Sequence, residues 1–313
     1  LLQSPFQPDK WRDMLALTAQ AQAQGADIKA GIACRPTGMV LGWQSTVHPF
    51  MRKSAYRQIA HLPFAQRLER LRDPAVREAI IGETTPPAAA MGALLQDFGN
   101  MFRLERDGQL DYEPRLEDSV AAQAAREGLT PEAVVYDMLM ENDGRGYIYL
   151  PLLNYARHNF DHIAEMMDDP NTILSLSDGG AHCGVICDAS FPTYMLTYWV
   201  RDRVRGRRMP LEKVVSMQTR QTAALYGLHD RGVIAPGMKA DLNVIDFDAL
   251  AIQAPEMIFD LPADGRRLIQ KASGYRATVV SGVVTFEDGE ATGELPGKLI
   301  RGPQAAPAAL AAE

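Results

Sequence analysis

The sequence lacks the features that define several classes of protein. Among its 313 residues only three are cysteines, Cys34, Cys183 and Cys187, a number that is too small, and odd, for a disulfide framework. No run of about 18 apolar residues is present, so we expect no transmembrane helix. The N-terminal LLQSPFQPDKW has neither an initiator methionine nor the basic start of a signal peptide. The low cysteine count favours a cytoplasmic protein in a reducing environment, and the N-terminus resembles that of a chain entered partway through.

Basic residues are also fewer than acidic residues. The 32 lysines and arginines are outnumbered by 39 aspartates and glutamates, which gives a net charge of -7. This balance argues against nucleic acid or an anionic membrane as the main partner. A hydrophobic content of 46% is ordinary for a globular protein, and the length admits one large domain or two smaller ones.

Helix and strand signals alternate at both ends of the first 231 residues. Asp9 can cap a helix over residues 10–24, and apolar residues then alternate with others over residues 28–34, which is the periodicity of a strand. A helix over residues 159–169 precedes a second apolar strand at residues 172–176. Helix–strand units of this kind predict an α/β fold.

The middle and the end of the chain differ from these units. Residues 50–165 predict a mostly helical insertion, in which Thr130-Pro131-Glu132 provides a cap, a first-position proline and a first-turn acid. Beyond residue 231, glycine and proline turns surround short strands, and residues 277–286 predict a β-hairpin. We therefore predict two domains, residues 1–231 and a small β-sandwich-like domain over 232–313 that ends in a frayed tail.

The most unusual stretch is SLSDGGAHCG, residues 175–184. An apolar strand runs into Asp178, and Gly179 and Gly180 follow it. In a β/α barrel the catalytic groups stand where strands end in loops, and a carboxylate there can accept a proton from a metal-bound water. Because Asp-Gly is also an ordinary turn signal, the local pattern leaves both interpretations open.

An ordered series of motifs makes the interpretation more specific. SLSDGGAH is followed by TRQTAALYGLHDRGVIAPGMKADLNVIDFD, then by DLPADGRR at 260–267, Ser273-Gly-Tyr275 and GELPGKLIRG. This series resembles the C-terminal half of the amidohydrolase superfamily, and within it the N-acyl-D-amino-acid deacylases (D-aminoacylases). The resemblance covers nearly the whole chain.

The resemblance implies the C-terminal part of a metal-dependent (β/α)8 TIM-type barrel beside a small β-domain. It also implies hydrolysis of an acyl amide by a zinc-activated water, with the metal polarising the scissile carbonyl. Asp178 would be both a metal ligand and the group that deprotonates this water and passes the proton to the departing amine. The substrate class is then a small acylated amino acid.

The histidines that this family uses for its metal are missing. The family's first barrel strand carries a His-x-His pair, and none of the six histidines of this chain stands in such a pair. Residues 28–34 match the penultimate barrel strand and residues 172–177 the last. We therefore expect a segment that starts after most of the barrel, with the remaining zinc ligands on the missing N-terminal part or on another polypeptide. Such a chain would be inactive alone, and a homo-oligomer is possible.

Two further residues are candidates for substrate binding. Arg35, at the end of its strand, could face the barrel mouth and hold the substrate carboxylate with two hydrogen bonds, or it could form a structural ion pair. His182 could support Asp178 by hydrogen bonding, or it could merely fix its own loop.

Other chemistry-bearing residues point more weakly to a site. His158 and His162 are spaced to share a helical face, but Asn159 occupies the position where zinc proteases have glutamate. Cys183 and Cys187 have the wrong spacing for common zinc or redox motifs and predict two small buried thiols. The basic run at residues 201–208 predicts a solvated helix end that complements the helix dipole.

The sequence thus predicts a zinc hydrolase of N-acyl-D-amino acids. A cyclic amidase of the dihydroorotase or hydantoinase type remains an alternative, because that branch shares the C-terminal GxxADLxVxD segment. A non-catalytic subunit that binds a barrel-completing partner is the alternative from a different class.

Overall fold

The described part of the chain is a mixed α/β protein. The computed structural model describes residues 1–86, 89–106, 108–175, 177 and 180–307. The α-helices are α1 (Lys10–Ala23), α2 (Ser54–Arg57), α3 (Phe64–Leu71), α4 (Pro74–Gly82), α5 (Ala89–Leu94), α6 (Val120–Glu127), α7 (Pro131–Gly144), α8 (Asp161–Asp168), α9 (Phe191–Tyr194), α10 (Leu211–Gln218) and α11 (Arg220–Leu225). Short 3-10 helices cover Phe98–Asn100, Leu116–Asp118 and Pro262–Asp264, and a π-helix covers Met195–Asp202.

The strands form several small sheets. They are β1 (Ala30–Ile32), β2 (Thr37–Leu41), β3 (Phe102–Arg103), β4 (Glu105–Arg106), β5 (Gln109–Leu110), β6 (Ile148–Leu153), β7 (Thr172–Leu174), β8 (Leu242–Ile245), β9 (Ala251–Ile252), β10 (Glu256–Leu261), β11 (Gly265–Ile269), β12 (Ala272–Ser273), β13 (Tyr275–Val280), β14 (Val283–Glu287) and β15 (Glu290–Ala291). The sheet orders within the described ranges are β1-β7, β2-β6-β3, β4-β5, β12-β9, β10-β11 and β15-β14-β13-β8.

Two strands that are distant in the sequence lie side by side in parallel. In β1 and β7, Ala30 pairs with Thr172 and Ile32 with Leu174. The Ser175 amide extends the pairing by donating to the Ile32 carbonyl over 2.8 Å. Gly31 is required here, because a Cβ atom on it would lie 2.8 Å from Ser175 Oγ. Both predicted strands are confirmed, and parallel neighbours bring their carboxyl ends to one edge.

The insertion is built on a sheet as well as on helices. Strand β6 lies between β2 and β3, within the region that the sequence predicts to be mostly helical. A second hydrophobic core lies on this sheet, where the buried Trp43 ring is 5.3 to 5.5 Å from the rings of Phe50, Tyr56 and Tyr136. The predicted start of α7 is confirmed, because Thr130 Oγ1 accepts a hydrogen bond from the Ala133 amide.

The basic run at residues 201–208 is not the solvated helix end that the sequence predicted. Arg203 and Glu113 are 0% exposed and form an ion pair with an N–O distance of 3.1 Å. Glu113 also accepts hydrogen bonds from the Tyr198 hydroxyl over 2.6 Å and the Phe160 amide over 2.7 Å. Arg205 donates to the carbonyl oxygens of Glu113 and His158. The run therefore ties the insertion to the helices that follow β7.

The C-terminal part is a twisted antiparallel sheet with a confirmed hairpin. Ser281 and Gly282, at φ of 53° and 82°, form the turn between β13 and β14, which is the two-residue geometry that suits a hairpin. Phe286 is 45% exposed on β14, and Val244 is 53% exposed on β8. The predicted β-sandwich-like arrangement of this region stays a prediction.

Residues 211–225 form two consecutive helices. Thr219, with φ of -118° and ψ of -88°, separates α10 from α11. Across the described residues, none of the helices combines the length and the apolar character that a membrane crossing requires.

Candidate active site at the ends of the parallel strands

The candidate site lies at the edge where β1 and β7 end. Asp178, predicted to be the catalytic base and a metal ligand, falls outside the described residues together with Gly179. Its neighbours define the edge: the Ser175 amide donates to the Ile32 carbonyl, and Ser177 Oγ donates to the Ala189 carbonyl over 3.3 Å. The end of β7 is thus attached to β1 and to the end of the segment that follows Asp178.

Arg35 lies at this edge but is buried. Its side chain is 1% exposed, and Nη2 donates to the Cys187 carbonyl over 2.7 Å, to Ser190 Oγ over 3.3 Å and to Asp188 Oδ1 over 3.4 Å. These contacts agree with the second interpretation of Arg35, a structural ion pair. Contact with a substrate carboxylate would require the cluster to open, and it stays a prediction.

Aromatic rings surround the guanidinium. Its carbon lies 3.7 Å from the centroid of Tyr112 and 4.7 Å from that of Phe191, distances at which a cation is attracted to a ring face. Burial by itself lowers the pKa of Arg35, but Tyr112 and Asp188 more than offset it, so the side chain stays charged. The Arg35 Nε and Nη1 atoms are buried without a hydrogen-bond partner in the described part of the chain.

Residues that the sequence did not single out complete this cluster. Gln270 on the link after β11 accepts from Ser190 Oγ and donates to the Tyr112 hydroxyl over 3.0 Å. Tyr112 and Tyr194 also line a cavity of about 1020 Å³. Gln270, Tyr112 in the insertion and Tyr194 in α9 carry no sequence signal for this cluster, because only the packing brings them to Arg35.

The segment after Asp178 is held between two sheets. The Val185 carbonyl accepts from the Val40 amide of β2 over 2.7 Å, and the Cys183 carbonyl accepts from the Leu268 amide of β11 over 2.7 Å. A Cβ atom on Gly184 would lie 2.1 Å from Thr46 Oγ1, so a larger residue would force the Thr46 side chain to move. The segment is therefore fixed on both sides by backbone hydrogen bonds.

His182 is at the exposed turn of this segment. It has φ of 51°, and its carbonyl accepts from the Val185 and Ile186 amides over 2.8 and 2.9 Å. These bonds show how the loop is fixed, whereas the predicted support of Asp178 or substrate by the imidazole stays a prediction.

A metal site is not assembled from the described residues. Among residues 1–86, 89–106, 108–175, 177 and 180–307, no three His, Cys, Asp or Glu side chains come together in a way that could hold an ion. Burial raises the pKa of Cys34 to about 12 and that of Cys187 to about 11, so both remain thiols at neutral pH and are poor ligands. The described donor set does not fit the zinc that the resemblance implies.

The remaining sequence candidates are separated by the fold. His158 precedes α8 and has φ of 52°, so it does not share a helical face with His162, and the spacing argument was wrong. Burial lowers the pKa of His162 to about 4, which keeps the ring neutral. Cys187 is buried as predicted, but Cys183 is only partly buried, because its loop turns at the surface.

The sequence profile of the Amidohydrolase family matches residues 113–286, which is more than half of the chain. The chain belongs to the amidohydrolase family. Its matched region includes the stretch around Asp178, the π-helix and the C-terminal strands.

Solved structures of D-amino-acid deacylases are similar to the chain. A D-aminoacylase with a binuclear metal centre has 18% identity and a TM-score of 0.43, over 90% of this chain and 44% of that one. The N-acyl-D-glutamate deacylase from Bordetella bronchiseptica, complexed with zinc and a phosphonate inhibitor, has 19% identity and a TM-score of 0.42, over 92% and 47%. The chain thus spans less than half the length of these proteins. No curated protein matched the sequence.

Proposed function

We propose that the protein hydrolyses the amide bond of N-acyl-D-amino acids in a zinc-dependent reaction, in which this chain supplies Asp178. Membership of the amidohydrolase family supports the reaction class. The motifs at residues 175–182, 219–248 and 260–267 support the deacylase branch. The observation that carries the proposal is the parallel pairing of β1 with β7, because it gives the strand before Asp178 the neighbour that a barrel requires.

In this proposal the Asp178 carboxylate takes a proton from the hydrolytic water. The resulting hydroxide attacks the amide carbon, and a tetrahedral intermediate forms. The C–N bond then breaks, and the proton held by Asp178 moves to the nitrogen of the departing amino acid. The Asp178 carboxylate is regenerated, so one amide and one water give one carboxylic acid and one amine, which at neutral pH are a carboxylate and an ammonium group.

The rest of the site is proposed to come from outside these 313 residues. Two neighbouring strands cannot close a cylinder, and both strands are short, with β1 and β7 covering three residues each. No group of three metal ligands is found in the described part of the chain. Further barrel strands bearing histidines would cover the open edges of the pair and complete the ligand set.

The proposal is tested by measuring zinc content and release of D-amino acid from N-acetyl-D-amino acids. The chain alone is expected to show neither, and co-expression with a segment that carries a His-x-His strand is expected to restore both. In the restored protein, Asp178→Asn is expected to lower kcat by about a hundredfold or more, whereas the exposed control Asp143→Asn leaves it unchanged.

Three results would each contradict a separate part of the proposal. Stoichiometric zinc with deacylase activity in the chain alone would show that no outside segment is needed. Full activity of the Asp178→Asn protein would remove the carboxylate from the chemistry. Turnover of dihydropyrimidines or hydantoins in place of acyl-D-amino acids would favour the cyclic-amidase alternative.

A further inference from the structure

A second cavity lies in the helical insertion, apart from the ends of the parallel strands. It has a volume of about 420 Å³, which is within the range of small-molecule sites. Its walls come from the start of α2, the end of α4 and the start of α7. The apolar part of the lining consists mainly of Phe50, Ile81, Leu95 and Phe98.

A buried lysine lines this cavity. Lys53 is 6% exposed, and its Nζ donates to the Ile81 carbonyl over 3.2 Å. An ammonium group has three N–H donors, so this bond leaves donors available. Burial lowers the pKa of Lys53, and Glu132 and Glu83 partly oppose that effect. A buried ammonium gains from an anionic acceptor more than an exposed one does.

Two other polar groups of the cavity lack a close partner. Thr85 Oγ1 is buried without a hydrogen bond in the described part of the chain. Glu132 lines the same cavity, yet none of the ion pairs of the described residues joins it to Lys53. By contrast, Glu83 is already engaged, because it accepts from the Ser54 and Ala55 amides over 2.7 and 3.1 Å.

The cavity therefore combines apolar walls with the cations of Lys53 and Arg52, the Thr85 hydroxyl and the carboxylates of Glu83 and Glu132. We propose that it binds an α-amino acid with an apolar side chain. The ligand carboxylate accepts hydrogen bonds from Lys53 Nζ and Thr85 Oγ1, its ammonium pairs with Glu132, and its side chain packs on Phe50 and Leu95. A molecule that carries only one of the two charges leaves the other group of the protein unpaired, which makes the site selective for zwitterions.

This inference goes beyond the proposed hydrolysis and does not depend on it. The cavity is lined by residues within 49–53, 81–85, 92–98 and 130–132, and none of them belongs to the edge where β1 and β7 end. Binding can be measured on this chain without zinc and without turnover. A negative result for amino-acid binding therefore does not affect the proposed hydrolysis, and a negative result for hydrolysis does not affect the proposed binding.

The test is isothermal titration calorimetry with D-leucine and L-leucine, with isovalerate as the carboxylate-only probe and isopentylamine as the amine-only probe. At least one leucine enantiomer is expected to bind, and each single-charge probe about tenfold or more weakly. Lys53→Met and Glu132→Gln are each expected to weaken leucine binding by about tenfold or more. Thermal unfolding of both variants checks that they are folded.

Matched controls separate the cavity from general charge effects. Lys29→Met removes an exposed lysine that also donates to a backbone carbonyl, and Glu212→Gln removes another first-turn acid; neither is expected to change binding. The proposal is overturned if neither enantiomer binds, if isovalerate binds as tightly as leucine, or if folded Lys53→Met and Glu132→Gln proteins bind leucine as the parent does.

Discussion

Replacing Arg35 by methionine removes the buried polar contacts that this side chain makes with residues 187–190, at the end of the segment that follows Asp178. The guanidinium is 1% exposed and its Nη2 reaches the Cys187 carbonyl, Ser190 Oγ and Asp188 Oδ1. Methionine fills much of the same volume between Tyr112 and Phe191. It removes the charge and every donor, so it isolates the polar role of Arg35 from its packing role.

The expected loss of stability follows from the burial of the Arg35 side chain. Breaking a buried ion pair by removing one partner destabilises a protein by about 3–5 kcal/mol, and the ring contact at 3.7 Å from Tyr112 adds about 1 kcal/mol. Because the contacts converge on residues 187–190, most of this loss is expected to appear as opening of that segment. A loss of about 3 kcal/mol corresponds to roughly a hundredfold larger open population.

The buried thiol of Cys187, which is 6% exposed, reports that opening. Labelling with iodoacetamide, read by mass spectrometry, is expected to be roughly a hundredfold faster at Cys187 in Arg35→Met than in the parent. Labelling of Cys34, in the body of the core, is expected to rise far less. The control Arg266→Met removes an exposed arginine that also donates to a carbonyl, that of Gln44. A Cys187 rate within twofold of the parent would refute the reasoning.

Three further predictions concern stability. Burial lowers the pKa of His162 from 6.5 to about 4. Between these two pH values the unfolded chain therefore binds more protons than the folded protein. The free energy of unfolding is expected to fall by about 3 kcal/mol as the pH drops from 6.5 to 4. His162→Phe is expected to remove this slope in urea denaturation between pH 4.5 and 7, and an unchanged slope would argue against it. Glu113→Gln, which leaves the fully buried Arg203 with only the exposed Asp161 as an anionic partner, is expected to cost about 3 kcal/mol in chemical denaturation. Arg207→Met, from a half-exposed pair of the same run, is expected to cost about 1 kcal/mol or less, and equal effects would contradict the burial argument. Gly282→Ala places a side chain at φ of 82° and is expected to cost about 1 kcal/mol by thermal unfolding; an unchanged midpoint would count against the hairpin turn.

Local signals in the sequence predicted the elements whose formation depends on neighbouring residues. The cap at Thr130, the hairpin turn at Ser281-Gly282 and the strand alternation over residues 28–34 act over a few positions of the chain. Each is confirmed, because hydrogen bonds between neighbours and backbone preferences do not need a distant partner. Ordered motifs likewise indicated the family, which the match over residues 113–286 confirms.

Distant contacts could not be predicted in the same way. The sequence left Arg35 open between a substrate contact and an ion pair, because the partners of its side chain lie at residues 112, 187–190 and 191. It also suggested a solvated basic run at 201–208, since a cluster of arginines is usually exposed. Arg203 is buried only because Glu113, far away in the sequence, provides a charge and further acceptors.

The sequence by itself determined the family and the α/β class of fold, and it made Asp178 a candidate for proton transfer, since these inferences follow from residue types and their order. Tertiary structure alone decided which charges are buried, that β1 and β7 are parallel neighbours, and that Lys53, Thr85 and Glu132 share one cavity. The physical reason is that burial and Coulomb interaction depend on distance in space, and sequence separation does not fix that distance.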